Sequence, residues 1–202
     1  MTCWSEGWPT AQATRSAWQA PLLPTCGPGL SGCIDFGGAP RLGTISGVDR
    51  DDIFLTTKIW VEHFTHDALL KQAKESADSL GTTPDLLLLH WPKATPSFEE
   101  TLGALNEARD QGLTKSIGLS NFPSREFRQA QALSEAKLLT NQVEYHPYLK
   151  LTPLLETAKD LGSSITAWSP LAQGKIADDA TINELAKAHG VAGLSWHRPG
   201  AG

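Results

Sequence analysis

The sequence predicts an α/β fold in which parallel strands alternate with helices. Residues 86–89 are four consecutive leucines, and an apolar run without polar alternation is typical of a strand covered on both faces. From residue 48 onward, five short β-rich runs alternate with stretches of helical spacing, which predicts parallel strands joined by right-handed crossovers. Each of these runs ends close to a residue that can do chemistry or bind a ligand.

The first predicted strand, 53–58, is the run IFLTTK, which ends on a lysine. A helix is predicted over 67–80 because leucine and alanine recur there at helical spacing and Gly81 provides a stop. The second strand, 85–90, contains the four leucines and ends on His90, two residues before a proline that ends strand pairing.

The residues Ser97 to Glu100 have the form of a capping box, which predicts a helix over 97–112. The third strand is predicted at 116–121, where the sequence reads SIGLSN. Pro123 and Ser124 then begin a helix that extends to about residue 133.

The fourth strand is predicted at 140–145 (TNQVEY) and the fifth at 164–169 (SITAWS). Between them, Thr152 as a cap and Pro153 in the first turn predict a helix over 152–162. A last helix is predicted over 181–189, and no further apolar strand follows it.

Length, charge and cysteine content limit the class of protein. The 202 residues suffice for one core but fall short of the roughly 250 residues of a complete eight-stranded α/β barrel. The net charge is −5 and no Lys/Arg run is present, so we expect no nucleic-acid or membrane partner. Three cysteines without a C-x-x-C pair indicate a reducing compartment. We therefore expect a cytoplasmic protein.

Composition divides the chain into three parts. Residues 1–48 contain eight glycines, five prolines and all three cysteines but no lysine, and no helical or strand period is sustained there. We therefore expect an irregular segment over 1–47, a regular domain over 48–191 and a separate tail over 192–202.

Chemically capable side chains stand at the ends of all five predicted strands. Because the carboxyl ends of parallel strands meet at one edge of a sheet, we expect these side chains to surround one crevice. Lysine and histidine can polarise a carbonyl, asparagine and glutamine can bind a carboxamide, and a tryptophan ring can stack on a flat heterocycle. The residues are Lys58, His90, Ser120, Asn121, Gln142, Trp168 and Ser169.

Each of these residues also has an ordinary structural interpretation. Taken alone, His90 is more often a core histidine whose ring nitrogens are both hydrogen-bonded. Lys58 could extend from the strand end into solvent, and Asn121 could serve as a turn residue ahead of Pro123. Trp168 could be a packing residue, as aromatic residues in strands usually are.

Five motifs of this chain, taken in order, resemble those of the aldo-keto reductases, nearest to the bacterial 2,5-diketo-D-gluconate reductase type. The resemblance spans about residues 48–191. It implies a (β/α)8 TIM barrel, of which about five β/α units are recognisable here, and NADPH-dependent reduction of a small-molecule carbonyl substrate. The motifs are TKIW (57–60), LHWP (89–92), GLSNF (118–122), NQVEYHPYL (141–149) and AWSPL (167–171).

The resemblance also implies roles for individual residues. Lys58 would lower the pKa of the proton donor and His90 would orient the substrate carbonyl, so both are expected to be catalytic. Trp60 and Trp91 would contact the substrate. The expected NADPH-binding residues are Ser120, Asn121 and Gln142 at the nicotinamide carboxamide, Trp168 on the nicotinamide ring, and Ser169 and Leu171 at the pyrophosphate.

Several parts of the family pattern have no counterpart in this sequence. The family's proton donor is a tyrosine upstream of the lysine, in a segment of the form Asp-Thr-Ala followed by Tyr. This chain has only Tyr145 and Tyr148, and Cys33 and Pro28 occupy the approximate places of the donor and its aspartate. The first two barrel strands, the eighth strand and its motif for the 2′-phosphate of NADPH are also unmatched.

Two functional interpretations follow from this pattern. The first is an NADPH-dependent aldo-keto reductase that is impaired because the catalytic tyrosine and aspartate are absent. The second is a non-catalytic truncated or frameshifted remnant with at most weak dinucleotide binding. A barrel enzyme of another chemistry lacks support because the histidines have no metal-like spacing and no Schiff-base pattern is present. We expect a monomer, which would tend to aggregate if the barrel is open.

Overall fold

A five-stranded parallel sheet forms the centre of the fold. The computed structural model describes residues 49–190, and the expected irregular segment 1–47 and tail 192–202 lie outside them. The strands follow one another in chain order across the sheet, each parallel to its neighbour. They are β1 (Thr56–Ile59), β2 (Leu86–Leu89), β3 (Ser116–Ser120), β4 (Leu138–Glu144) and β5 (Ser164–Trp168).

Five α-helices connect or follow these strands, as the alternating pattern predicts. They are α1 (His66–Leu80), α2 (Phe98–Asp110), α3 (Ser124–Leu133), α4 (Thr152–Asp160) and α5 (Ala180–Ala188). Short 3-10 turns cover Arg50–Asp52 and Val61–His63, and the segment Ala172–Asp178 combines 3-10 turns with a kink at Gln173 and Gly174.

Helix ends follow the predicted signals at two places and differ at a third. Gly81 ends α1 in the left-handed conformation at φ 66°, and the Ser97 hydroxyl accepts a hydrogen bond from the Glu100 N–H at 3.2 Å. The prediction that Thr152 caps α4 is wrong: Leu151 occupies the cap position, without a side-chain bond, and Thr152 is the first helical residue. An unpredicted cap comes from Asp179, which accepts from the Ile182 N–H at 3.0 Å ahead of α5.

The first strand begins three residues later than the predicted start at residue 53. The Leu55 N–H donates to the Asp85 carboxylate at 2.8 Å instead of joining the strand pairing. The same carboxylate binds Arg50 at 2.7 Å and Lys115 at 2.8 Å. Burial alone raises the pKa of Asp85, but the hydrogen bonds from Lys115, Leu55 and Arg50 outweigh it, so the pKa lies below its ordinary value. The three residues of this ion cluster precede β1, β2 and β3, so the cluster joins these strands at the amino edge of the sheet.

One face of the sheet packs against the helices. Its apolar residues belong to one buried cluster with residues of α1, α2 and α3, among them Leu69, Leu105 and Phe127. Because side chains alternate along a strand, the residues between them point to the opposite face. On that face Lys58, Leu88 and Gly118 lie side by side in register. In a closed barrel this face is the interior.

Strands β3 and β4 approach closely at Gly118. The pairing register shifts between Ile117 and Leu119. A Cβ atom at Gly118 would lie 2.7 Å from the Thr140 carbonyl oxygen and 2.9 Å from the Leu88 side chain. Glycine at position 118 therefore permits β3 and β4 to approach each other closely, two residues before the carboxyl end of β3.

Candidate active site

The carboxyl edge of the sheet gathers most of the residues expected to form a site. Lys58 is the third residue of β1, and His90 directly follows β2. Ser120 and Trp168 are the last residues of β3 and β5. Gln142 of β4 is in register with Ser120, so the polar ends of neighbouring strands face one another across the edge.

Asn121 joins three strand ends through its side chain. Its Nδ2 donates to the His90 carbonyl oxygen at 2.9 Å and to the Ser120 Oγ at 3.1 Å. Its Oδ1 accepts from the Trp168 Nε1 at 2.9 Å. The backbone of Asn121 is left-handed at φ 64°, a conformation that asparagine adopts more readily than most residues. The turn role and the site position therefore coincide in one residue.

The Gln142 carbonyl oxygen is a second junction. It accepts from the Ser120 Oγ at 2.9 Å and from the Asn121 N–H at 2.9 Å. The half-buried carboxamide of Gln142 forms no hydrogen bond with residues 49–190. We call Ser120, Asn121, Gln142 and Trp168 the carboxyl-edge network.

His90 lies beside this network and is only 9% exposed. Its N–H donates to the Ile59 carbonyl oxygen at 3.1 Å, which extends the β1–β2 pairing by one residue. The imidazole meets the Trp60 ring edge-on, with centroids 4.9 Å apart and an interplanar angle of 84°. Burial lowers the pKa of His90, and the nearby positive charge of Lys58 lowers it further. Both effects favour the neutral form of the imidazole.

The Nδ1 atom of His90 is buried and has no hydrogen-bond partner among the described residues. An unpaired buried polar atom is costly, so it calls for an explanation such as a catalytic role, a bound water or a bound ion. The interpretation of His90 as a fully hydrogen-bonded core histidine does not agree with this geometry.

The remaining expected residues follow the ends of β2 and β5 in the chain and do not join the hydrogen bonds of the network within residues 49–190. Trp91 is 44% exposed and Leu171 is 38% exposed. Ser169 is left-handed at φ 50°, and its carbonyl oxygen accepts from the Ala172 N–H at 2.9 Å. The chain from Ser169 to Ala172 therefore forms a tight, irregular loop directly after β5.

Asn141 belongs to the same edge, although it is not among the residues that the sequence predicts to form the site. Its Oδ1 accepts from the Phe122 N–H at 3.2 Å, and its Nδ2 donates to the Phe122 carbonyl oxygen at 2.7 Å. One feature of the sequence could have identified it: asparagine is rare in strands, yet Asn141 lies within the predicted fourth strand.

Residues 49–190 contain neither a cluster of metal ligands nor a membrane-spanning helix. No three His, Cys, Asp or Glu side chains in this range come together as metal ligands would. None of its helices has the length and apolar character needed to cross a membrane.

The family model described as the aldo/keto reductase family matches residues 39–192, well over half of the chain. The chain belongs to the aldo/keto reductase family. This confirms the resemblance that the five motifs carry.

Relatives of known name agree with the family assignment. The methylglyoxal reductase DkgB of Salmonella typhimurium is 41% identical over 148 residues, which cover 71% of this chain and 55% of the relative. The glyoxal reductase of Bacillus subtilis is 34% identical over 145 residues, covering 71% and 52%. The chain thus spans about half the length of the curated relatives that it matches.

Solved structures agree on the fold. One provisionally named 2,5-diketo-D-gluconic acid reductase B superposes with a TM-score of 0.72 at 45% identity, covering 74% of this chain and 54% of the other. A mutant of Gox0644 in complex with NADPH gives 0.68 at 33% identity, covering 73% and 55%. The partial (β/α)8 barrel predicted for this chain is confirmed: five parallel strands with alternating helices match part of the family's barrel.

Proposed function

We propose that this aldo/keto reductase chain binds NADPH at the carboxyl edge of its sheet and reduces small carbonyl compounds slowly. The observation that carries the proposal is the carboxyl-edge network, with Lys58 and His90 beside it. The slow rate follows from the missing tyrosine and aspartate of the family pattern.

The network has the chemistry needed to hold a nicotinamide carboxamide. Asn121 Oδ1 uses one lone pair for the Trp168 indole, which leaves the second lone pair for an amide N–H. The Gln142 carboxamide offers both a donor and an acceptor. The indole of Trp168 offers a flat apolar surface for the nicotinamide ring. When bound there, the cofactor would supply a hydride.

Lys58 and His90 supply the groups that would act on the carbonyl. A neutral imidazole can donate one ring N–H to a carbonyl oxygen and so orient it. The Trp60 ring packs edge-on against the imidazole at a centroid distance of 4.9 Å, which supports an orienting role for His90. Trp60 and the exposed Trp91 are proposed to contact the apolar part of the substrate.

The proton donor is the missing part of this chemistry. The sequence has only two tyrosines. The hydroxyl of Tyr148 donates to the Asp179 carboxylate at 2.8 Å, and this hydrogen bond raises the pKa of Tyr148, which makes it a poorer acid. Tyr145 packs against the hydrophobic core. His90 is the acid that remains at the carboxyl edge, and its lowered pKa makes protonation of the imidazole less favourable. General acid catalysis is worth roughly 10²–10⁴ in rate.

Cofactor affinity should also be reduced at the adenosine end. The family motif for the 2′-phosphate of NADPH has no match in this sequence, and charge-assisted hydrogen bonds are worth about 1.5–3 kcal/mol each. We therefore expect NADPH binding weaker than about 1 µM, with little preference over NADH. Ser169 and Leu171 in the loop after β5 are the residues proposed to face the pyrophosphate.

A second candidate function is a non-catalytic remnant with at most weak dinucleotide binding. The missing tyrosine favours it, and the intact hydrogen bonding around Asn121 favours the reductase. The proposed location is cytoplasmic, supported by three cysteines without a C-x-x-C pair, and the proposed oligomeric state is a monomer.

A turnover assay distinguishes the two candidates. NADPH oxidation with methylglyoxal would be followed for this chain and for the Salmonella relative under the same conditions. We expect a rate above the protein-free background but at least about 10²-fold below the relative. His90→Ala should reduce the remaining rate, whereas His66→Ala, a surface control on α1, should not.

Three outcomes decide the matter. A rate equal to that of the Salmonella relative would show that another residue donates the proton, and the impaired reductase would be rejected. A rate unaffected by His90→Ala would remove the proposed role of this histidine. No oxidation above background would favour the non-catalytic remnant.

A further inference from the structure

We propose that Asn141 is a positioning residue that holds the carboxyl-edge network in its binding conformation. This inference rests on the proposed function, because the network is taken to be the nicotinamide site. Asn141 would act through the backbone of Phe122 and through Asn121.

Asn141 is an amide at an otherwise apolar position. It lies in register with Leu119 of β3 and Ile165 of β5, and it is completely buried. A buried carboxamide is unfavourable unless both its donor and its acceptor are bonded. Here both are bonded, and both partners belong to one residue: the Phe122 N–H at 3.2 Å and the Phe122 carbonyl oxygen at 2.7 Å.

The two bonds extend the β3–β4 pairing beyond its last backbone contact. A carboxamide presents the same donor and acceptor as a peptide group. Strand β3 ends at Ser120, where the Gln142 carbonyl oxygen takes the last bonds. The Asn141 side chain then pairs with Phe122 as a strand residue would, and the Phe122 ring is anchored in the core at 2% exposure.

Asn121 is thereby fixed on both sides. Ser120 before it is bonded to Gln142, and Phe122 after it is bonded to Asn141. Its left-handed backbone at φ 64° is less favourable than a helical or extended one even for asparagine, so the bonds on both sides help to stabilise it. In this conformation the Asn121 side chain bonds both the His90 carbonyl oxygen and the Trp168 indole. Asn141 thus controls the site without facing it.

The substitution Asn141→Asp tests this role. It keeps the shape of the side chain but replaces the donor to the Phe122 carbonyl oxygen with an acceptor. Asn106 of α2 is a matched control, since it is also buried and bonds the Leu102 carbonyl oxygen at 2.7 Å and the Ala136 N–H at 2.9 Å, ahead of β4. Asn106→Asp therefore removes an equivalent clamp outside the carboxyl edge.

The readouts are the Trp168 indole N–H signal in a ¹⁵N-labelled chain, assigned with Trp168→Phe, and the NADPH dissociation constant from fluorescence titration. We expect Asn141→Asp to shift the Trp168 signal and to weaken NADPH binding by about tenfold, the effect of losing one such hydrogen bond. Asn106→Asp should leave both readouts as in the parent chain while lowering the unfolding midpoint.

An unchanged Trp168 signal in folded Asn141→Asp, or the same shift in Asn106→Asp, would overturn the proposal. If the parent chain fails to bind NADPH, the proposed function fails, but the indole signal still decides the role of Asn141. If Asn141→Asp does not fold, amide hydrogen exchange in the parent chain decides it. The clamp predicts protection of the Phe122 N–H comparable to that of the Asn121 N–H, and exchange as fast as in open loops would refute it.

Discussion

At the scale of single residues, His90 differs most from an ordinary core residue. It is buried, yet its Nδ1 has no hydrogen-bond partner among residues 49–190, and the Trp60 ring packs against it. A structural histidine in this position would normally have both nitrogens bonded. Its lowered pKa has two causes, burial first and the charge of Lys58 second. The second cause shows that the Lys58 charge acts on His90, the other proposed catalytic residue.

The pKa of His90 gives a prediction at this scale. Lys58→Met removes a nearby positive charge, so the His90 pKa should rise toward its ordinary value of 6.5. An NMR titration of the imidazole signals would measure it. Lys71→Met is the control, because Lys71 pairs with Glu75 on the surface of α1. A His90 pKa that is unchanged by Lys58→Met, or equally changed by Lys71→Met, would contradict the proximity of the two groups.

The same shift has a consequence for stability. The unfolded chain takes up a proton at His90 near pH 6.5, while the folded chain does so only at lower pH. The stabilisation is therefore present above the unfolded pKa and is lost as pH falls toward and through the folded pKa. Lys58→Met should make this loss smaller, as chemical unfolding at a series of pH values would show.

At the scale of elements, the sequence was informative wherever one local signal determined the structure. The four leucines predict β2 almost to the residue, and Gly81 and Ser97 end and begin helices where expected. The start of β1 was wrong because the Asp85 carboxylate, thirty residues away, takes the Leu55 N–H. Long-range competition of this kind leaves no local pattern.

In the candidate site too, local signals predicted the positions of residues, whereas long-range contacts determined their bonding. The positions of Lys58, His90, Asn121, Gln142 and Trp168 at one edge follow from the parallel alternation and from the strand ends. Their bonding does not. Asn121 bonds both His90 and Trp168 because of the spatial order of β2, β3, β4 and β5 and because of their pairing register. Neither the order nor the register can be read from the list of predicted strands. The motif residue Asn141 gave no sign of which backbone it would bind.

Gly118 gives a prediction at the scale of elements. Gly118→Ala would place a Cβ 2.7 Å from the Thr140 carbonyl oxygen, so β3 and β4 must separate and the chain should lose about 1–3 kcal/mol of unfolding free energy. Gly103→Ala is the control, because a Cβ there meets nothing within 4 Å. It should stabilise α2 by up to about 1 kcal/mol. Urea unfolding measures both, and similar destabilisation by the two variants would contradict the close contact.

At the scale of the whole molecule, the described sheet is open. Among residues 49–190, β1 pairs with β2 alone and β5 with β4 alone, and Thr166 and Ala167 of β5 are exposed. Eight strands close an aldo/keto reductase barrel, and five cannot close at the same radius and shear. Exposed strand edges favour association, so aggregation remains a prediction for the purified chain. Water entering an open site would further slow carbonyl reduction.

Titration of the chain with NADPH, followed by tryptophan fluorescence, tests the central claim that the carboxyl-edge network is a nicotinamide site. We predict saturable binding weaker than about 1 µM, with nearly equal affinity for NADH. Gln142→Ala should weaken it by about tenfold through the loss of a carboxamide contact, whereas Gln111→Ala, at the exposed end of α2, should not. Tight binding with a clear preference for NADPH, or binding unaffected by Gln142→Ala, would contradict the account.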